Sequence, residues 1–234
     1  MHTLITLEGV EGCRVRKRLN RFVVEVEVDD KVTTAYINNT GRLLDYLRED
    51  KKGFCLRNSN EKKTDYRLFA VEKNGFGAVI DTNLQMKAFE KALSLNLIPW
   101  LNGWEFIKRN VRLGESVIDY LFRKNSVFLY LEVKSAVLKD GDYAMYPDCP
   151  SIRGQRHIWE LITHVSNGGE AAILFIAALP KVKAFKPYES GDPVVKTLLV
   201  EAEKVGVMIK SISIFYNPRN AKLHLENPDL DVVL

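Results

Sequence analysis

The chain has 234 residues, 46% apolar and 27% charged, with 34 basic against 30 acidic side chains and a formal net charge of +4. That length holds one large domain or two modest ones, and the apolar content suffices for a packed core, which excludes wholesale disorder. The longest apolar stretch, Ala171 to Pro180, is about half of what a bilayer span needs, and the N-terminus lacks the basic-then-apolar order of a secretory leader, so a cytoplasmic protein with no membrane partner is expected.

The first eighty residues read as short strands. Arg14, Arg16, Lys17, Arg18 and Arg21 form a basic run that either tracks a phosphate backbone or lies in a solvated loop. Phe22 to Val28 alternates, with Val24, Val26 and Val28 on one face and Glu25 and Glu27 on the other, as in a half-buried strand. Asp29-Asp30 turns the chain into a second strand, Lys31 to Ile37. Gly41 to Leu47 fits a short helical turn burying Leu43, Leu44 and Leu47. A second basic group, Lys51, Lys52, Arg57, Lys62, Lys63 and Arg67, accompanies strands predicted over Gly53 to Arg57, Tyr66 to Val71 and Gly77 to Ile80. Several short strands in so few residues predict a small β-barrel.

The pattern changes near residue 82. Thr82 can cap a helix over Asn83 to Leu95, with Leu84, Phe89 and Leu93 inward. Extended stretches follow at Trp104 to Val111, Ser116 to Phe122 and Val127 to Ser135, the last two joined through Arg123 to Ser126. A helix over Ser151 to Val165 closes at Asn167-Gly168-Gly169. Ala171 to Ala178 reads as a central, fully covered strand. Asp192-Pro193 opens another helix, Gly206 ends it, and Val207 to Tyr216 is a last strand. Helices and strands in this order need a mixed sheet flanked by helices. Cys13, Cys55 and Cys149 are odd in number and far apart in sequence, and are expected to be reduced thiols.

The stretch Leu129 to Ser135 carries the chemistry. Residues two apart share a strand face, so Tyr130, Glu132 and Lys134 point together while Leu131 and Val133 point into the core. If Phe122 pairs with Val127, Asp119 lies opposite Tyr130, diagonal to Glu132 and on its face. Carboxylates within such apolar strands are costly unless paired or metal-bound. Asp119 and Glu132 beside Lys134 suit a hard cation, Mg²⁺ or Mn²⁺, acting on a phosphodiester; a surface ion pair of Lys134 is the plainer alternative. On the following helix Arg153, His157 and Glu160 form one polar stripe, either a solvated face or one that turns to the carboxylates and meets a phosphate through Arg153. Asp148 fits a helix cap or turn residue. Walker-type and dinucleotide glycine loops and a Gly-x-Ser-x-Gly elbow are missing.

Several segments together resemble the sugar fermentation stimulation protein A (SfsA) family: Asn39-Thr40-Gly41, Ile118-Asp119-Tyr120, Leu131-Glu132-Val133-Lys134-Ser135, Tyr146-Pro147-Asp148, Arg153-Gly154-Gln155-Arg156-His157 with Glu160-Leu161, and Gly206-Val207. The chain departs from the family at Asn38, where a proline is usual, and at Val117, where a basic residue is usual. The resemblance implies an N-terminal OB-fold-like barrel over residues 1–82 that binds nucleic acid, and a PD-(D/E)xK nuclease-like domain over 83–234. It further implies DNA binding, a role in expression of sugar-utilisation genes, and nuclease-signature roles for Asp119, Glu132 and Lys134, with Asp119 and Glu132 as metal ligands. Two functions follow as expectations. One is a metal-dependent nuclease contacting DNA through Arg14, Arg16, Lys17, Arg18, Arg153 and His157; the other is a DNA-binding regulator without turnover. DNA strandedness and homodimer formation stay open, and nothing specific supports a sugar-binding module.

Overall fold

The computed structural model describes residues 1–58 and 63–234, so Lys62 of the second basic group lies outside the described residues. Among them, the chain forms strands β1 (His2–Thr6), β2 (Val10–Arg18), β3 (Val23–Val28), β4 (Lys31–Tyr36), β5 (Lys52–Arg57), β6 (Tyr66–Lys73) and β7 (Phe76–Val79), then helix α1 (Thr82–Ser94). A 3-10 turn at Pro99–Leu101 leads into β8 (Glu105–Leu113), β9 (Ser116–Lys124), β10 (Val127–Ala136), β11 (Leu138–Asp140) and β12 (Tyr143–Tyr146). The chain ends through α2 (Ile152–Ser166), β13 (Glu170–Ala177), β14 (Ala184–Pro187), α3 (Pro193–Val205), β15 (Met208–Asn217) and β16 (Lys222–Val232). No helix among the described residues is long and apolar enough to cross a membrane.

The residues pack as two units, one of Met1–Leu97, Ala178–Val182 and Ser213–Asn227, the other of Ile98–Ala177, Lys183–Ile212 and Pro228–Leu234. In the first, the pairings run from β6 through β4, β3 and β2 to β5, which pairs again with β6. The valines of β3 explain the pairing. Val24, Val26 and Val28 are buried, while Glu25 and Glu27 stay half-buried and pair with Lys17 and Arg16 of β2. Arg14 to Arg18 of the basic run is therefore strand, not loop, because Cys13 and Val15 alternate with its cations and are buried, while Arg21 lies in the bend before β3. Cys13 and Cys55 are free thiols 3.1 Å apart in the core, and the Cys13 hydrogen bond together with burial pushes the Cys55 thiol up.

Two local expectations need correction. Residues 41–47 form turns without a helix, since Leu43 takes a left-handed φ of 52° that ends any helical run. Leu43 is buried there, but Leu44 is 65% exposed and Tyr46 fills the core instead. The cap of α1 is Asp81, not Thr82: its carboxylate accepts from Leu84 N at 2.9 Å, and Asn38 donates to the same oxygen at 2.7 Å. A carboxylate caps more strongly than a hydroxyl, which moves the helix start forward by one residue.

In the second unit, β8–β9 and β9–β10 pair antiparallel, β10–β13 pair parallel, and β13 also pairs with β15. Residues 171–177 of β13 are fully buried, as befits an inner strand. A smaller set, β11, β12, β14 and β16, pairs antiparallel at its first joint and parallel at the next two. Helix α2 packs against β9, β13 and α3.

Candidate functional site

The hairpin β9–β10 sets the site. Val127 pairs with Lys124 and Leu131 with Tyr120, so the connection is only Asn125 and Ser126. Asn125 turns the chain with a φ of 54°, a conformation asparagine tolerates. The pairing is thus two residues from the one expected, and a two-residue shift preserves the face. Asp119, next after Tyr120, falls across from Glu132 itself and not diagonal to it. Its Oδ2 accepts from Val133 N at 2.8 Å.

Both faces of β10 are covered here. Glu132 and Lys134 are 3% and 9% exposed, whereas Val133 is only half-buried. The cover on the polar face is α2. Its residue His157, 2% exposed, places Nδ1 2.5 Å from Glu132 Oε1, and Lys134 Nζ lies 2.6 Å from the same oxygen. Arg153 Nε donates to His157 Nε2 at 3.3 Å, which assigns the acceptor to Nε2 and the proton to Nδ1. The polar stripe of α2 is therefore not a solvated face. Arg153 is exposed, His157 reaches inward, and Glu160 accepts from Glu115 N at 2.9 Å.

Two anchors aim this helix, and the sequence reading missed their reach. Ser151, not Asp148, caps α2 by accepting from Gly154 N at 3.0 Å. Asp192, the cap of α3, also accepts from Ser151 N at 2.9 Å and from Gln155 Nε2 at 2.9 and 3.1 Å, tying the two helix starts together. The Glu160 contact holds the middle of α2 to the β8–β9 turn, where Gly114 has a φ of 54° and a Cβ would collide with the Glu160 carboxylate. Gly114→Ala is expected to cost about 1–2 kcal/mol in denaturant unfolding. The loss should shrink in a Glu160→Ala background, and equal losses in both backgrounds would remove the clash as its cause.

The electrostatics of the carboxylates diverge. Burial, then the charge of Glu132, push Asp119 from 3.8 up to about 6 against the pull of Val133 N–H, Lys134 and His157. Burial alone would also raise Glu132, but Lys134 and His157 outweigh it and hold this carboxyl below its ordinary range. Burial alone would lower the Lys134 ammonium; Glu132, Tyr146 and Asp119 together raise it. Glu132 Oε2 is buried with no hydrogen-bond partner among the described residues. An orphaned carboxylate oxygen across a hairpin from a second carboxyl is a donor set that fits a hard divalent cation. No group of three His, Cys, Asp or Glu that could hold a metal ion occurs among the described residues.

The other predicted contacts lie on β2, in the first unit. Arg14 and Lys17 are exposed, with Lys17 3.8 Å from Glu25. Arg16 pairs with Glu27 and, at 3.3 Å, with Asp50. Arg18 donates to the carbonyls of Asn20, Arg21, Gly41 and Arg42 at 2.6–3.0 Å, which pins the 41–42 loop.

Fold and site together define a protein with an OB domain followed by an RE domain built as a mixed sheet flanked by helices. The model of the SfsA N-terminal OB domain matches residues 17–80, and that of the sugar fermentation stimulation protein RE domain matches residues 83–220. This chain belongs to the sugar fermentation stimulation protein family. A sugar fermentation stimulation protein homolog of Pyrococcus furiosus is 47% identical over 211 residues, 90% of this chain and 91% of the relative. One from Archaeoglobus fulgidus is 45% identical over 231 residues, 99% of each chain. A solved structure described as Pyrococcus furiosus SfsA in complex with Ca2+ superposes with a TM-score of 0.95 at 42% identity, covering 100% of both chains.

Proposed function

We propose that this protein binds DNA and hydrolyses phosphodiester bonds at Asp119, Glu132 and Lys134 with the help of Mg²⁺ or Mn²⁺, residues 1–82 forming the OB-type binding part and 83–234 the nuclease-like part. The observation that carries this reading is the orphaned, buried Glu132 Oε2 on a residue that lies across the hairpin from Asp119. Two such carboxylates repel a phosphate and destabilise the fold, an expense that binding alone does not require. Support also comes from the relative whose structure is described as a Ca2+ complex.

Asp119 and Glu132 Oε2 would hold the cation, which when bound supplies charge stabilisation at the phosphodiester and a more acidic water. Glu132 Oε1 is engaged by Lys134 and His157, which keeps its carboxylate ionised and leaves its second oxygen uncommitted among the described residues. Lys134 brings positive charge next to the developing oxyanion. Arg153 orients His157 through Nε and is exposed, which supports a phosphate contact through its terminal nitrogens. Arg14, Arg16, Lys17 and Arg18 extend the contacts to DNA from the OB part.

The test is incubation of pure protein with single- and double-stranded DNA in Mg²⁺, Mn²⁺ or chelator. Metal-dependent cleavage that falls at least 100-fold in both Asp119→Ala and Lys134→Ala is expected. Cleavage equal in the variants rejects the catalytic reading. A second reading, a DNA-binding regulator without turnover, is favoured by one observation: Lys134 is held by Glu132 at 2.6 Å and not presented to solvent. It predicts salt-sensitive DNA binding and no cleavage under any of these conditions.

A further inference from the structure

Strand β8 pairs only with β9 among the described residues, and Glu105 to Asn110 are all exposed. It is an open edge beside the site. Lys108 lies across from Leu121 and Arg112 across from Val117, so they share the sheet face of Asp119 and stand on either side of it. Between them is Asn110, exposed, with a left-handed φ of 55°. Lys108 and Arg112 are about 13 Å apart along the strand, close to the rise of four nucleotides in one strand of a duplex. A backbone laid along this edge would be gripped about two nucleotides to each side of the carboxylates.

Charge bookkeeping separates these cations from the more conspicuous cluster on β2. Arg16 and Lys17 are neutralised by Glu27, Asp50 and Glu25, and Arg123 by Glu105. No carboxylate pairs with Lys108 or Arg112 among the described residues; Arg112 Nε donates only to Gly114 O, at 3.2 Å. Their positive charge is available to a ligand, and it lies where two carboxylates otherwise repel an anion. A second copy of this chain is a poor occupant for the edge, because self-pairing would set Lys108, Arg109 and Arg112 of both copies against each other.

We propose that Lys108 and Arg112 form a phosphate rail along the β8 edge that positions the DNA backbone across Asp119. The inference rests on the DNA reading above and adds to it residues that no sequence motif singled out. The rail is tested by fluorescence anisotropy of the full chain with labelled single- and double-stranded oligonucleotides across a salt series. The Lys108→Gln/Arg112→Gln variant is compared with a charge-matched control, Lys87→Gln/Lys204→Gln, both positions exposed. The rail variant should lose at least tenfold in affinity near 0.1 M salt, with a log–log salt slope shallower by about two, at an unchanged melting temperature. The control should lose less than twofold. A rail variant that matches the control in affinity and slope overturns the rail while leaving the DNA reading intact. Self-association of the rail variant with unchanged affinity also overturns it, since the charges would then serve only to keep the edge unpaired. Absence of DNA binding by the unmodified protein overturns both.

Discussion

Replacing Glu132 with alanine should cost about 3–5 kcal/mol of stability, because the substitution strands a buried ammonium. Lys134 is 9% exposed and its ion pair with Glu132 spans 2.6 Å. His157 Nδ1, also buried, loses its acceptor in the same step. The pair itself is not a large net gain, since both charges were taken out of water to make it. A Glu132→Leu/Lys134→Met double variant should therefore recover most of the loss, while Lys134→Met alone should be as damaging as Glu132→Ala because it leaves Glu132 beside Asp119 without its cation. Urea unfolding at pH 7 in chelator measures all four proteins; a Glu132→Ala loss below about 1 kcal/mol would contradict the burial argument. The pH dependence has a definite sign. Glu132 is held below its ordinary 4.5 in the fold, so its contribution is full above that value and is lost as pH falls from there through the lower folded value. The gap between the unmodified protein and Glu132→Ala should accordingly narrow in acid.

Such a set was legible in the sequence for a simple reason. Strand periodicity places Glu132 and Lys134 on one face whatever the register, and a two-residue error in the hairpin leaves Asp119 on that face as well. The turn length decides only whether the carboxylates stand diagonal or opposite, and it depends on Asn125 accepting a left-handed backbone, which no apolar pattern reveals. Helix α2 shows the limit from the other side. Its residues His157 and Glu160 share a stripe in any helix, but whether that stripe faces water or β10 is set by Asp192 and by the Gly114–Glu115 turn, both distant in sequence. The basic run 14–18 shows a different limit. Clustered charge is visible in the sequence, whereas its neutralisation by Glu25, Glu27 and Asp50 needs the strand pairing. Lys108 and Arg112 were inconspicuous for the converse reason: they are few, yet the topology leaves them on an open edge, with no carboxylate paired to either among the described residues. The short strands β11, β12 and β14 carry too few residues for a period of two to register.

Asp119→Asn should stabilise the protein at neutral pH, by about 1–3 kcal/mol. The carboxyl titrates at about 6 in the fold against 3.8 as an unperturbed group, so the folded state holds its proton more tightly than the unfolded one. Stability falls as pH rises from 3.8 and the full cost applies above about 6. Asparagine removes the charge and keeps an oxygen to accept from Val133 N. The gain over the unmodified protein should be full at pH 7.5 and vanish below pH 4, as read by thermal unfolding in chelator. Adding Mn²⁺ separates the structural cost from its purpose. A cation at about 100 times its dissociation constant stabilises the unmodified protein by about 2.7 kcal/mol, which cancels the penalty, and should leave Asp119→Asn nearly unmoved. A melting temperature that rises equally with metal in both proteins would place the ion elsewhere. A gain of equal size at pH 4 and pH 7.5 would mean that asparagine acts through packing, and that neither burial of the Asp119 charge nor its proximity to Glu132 is what strains this hairpin.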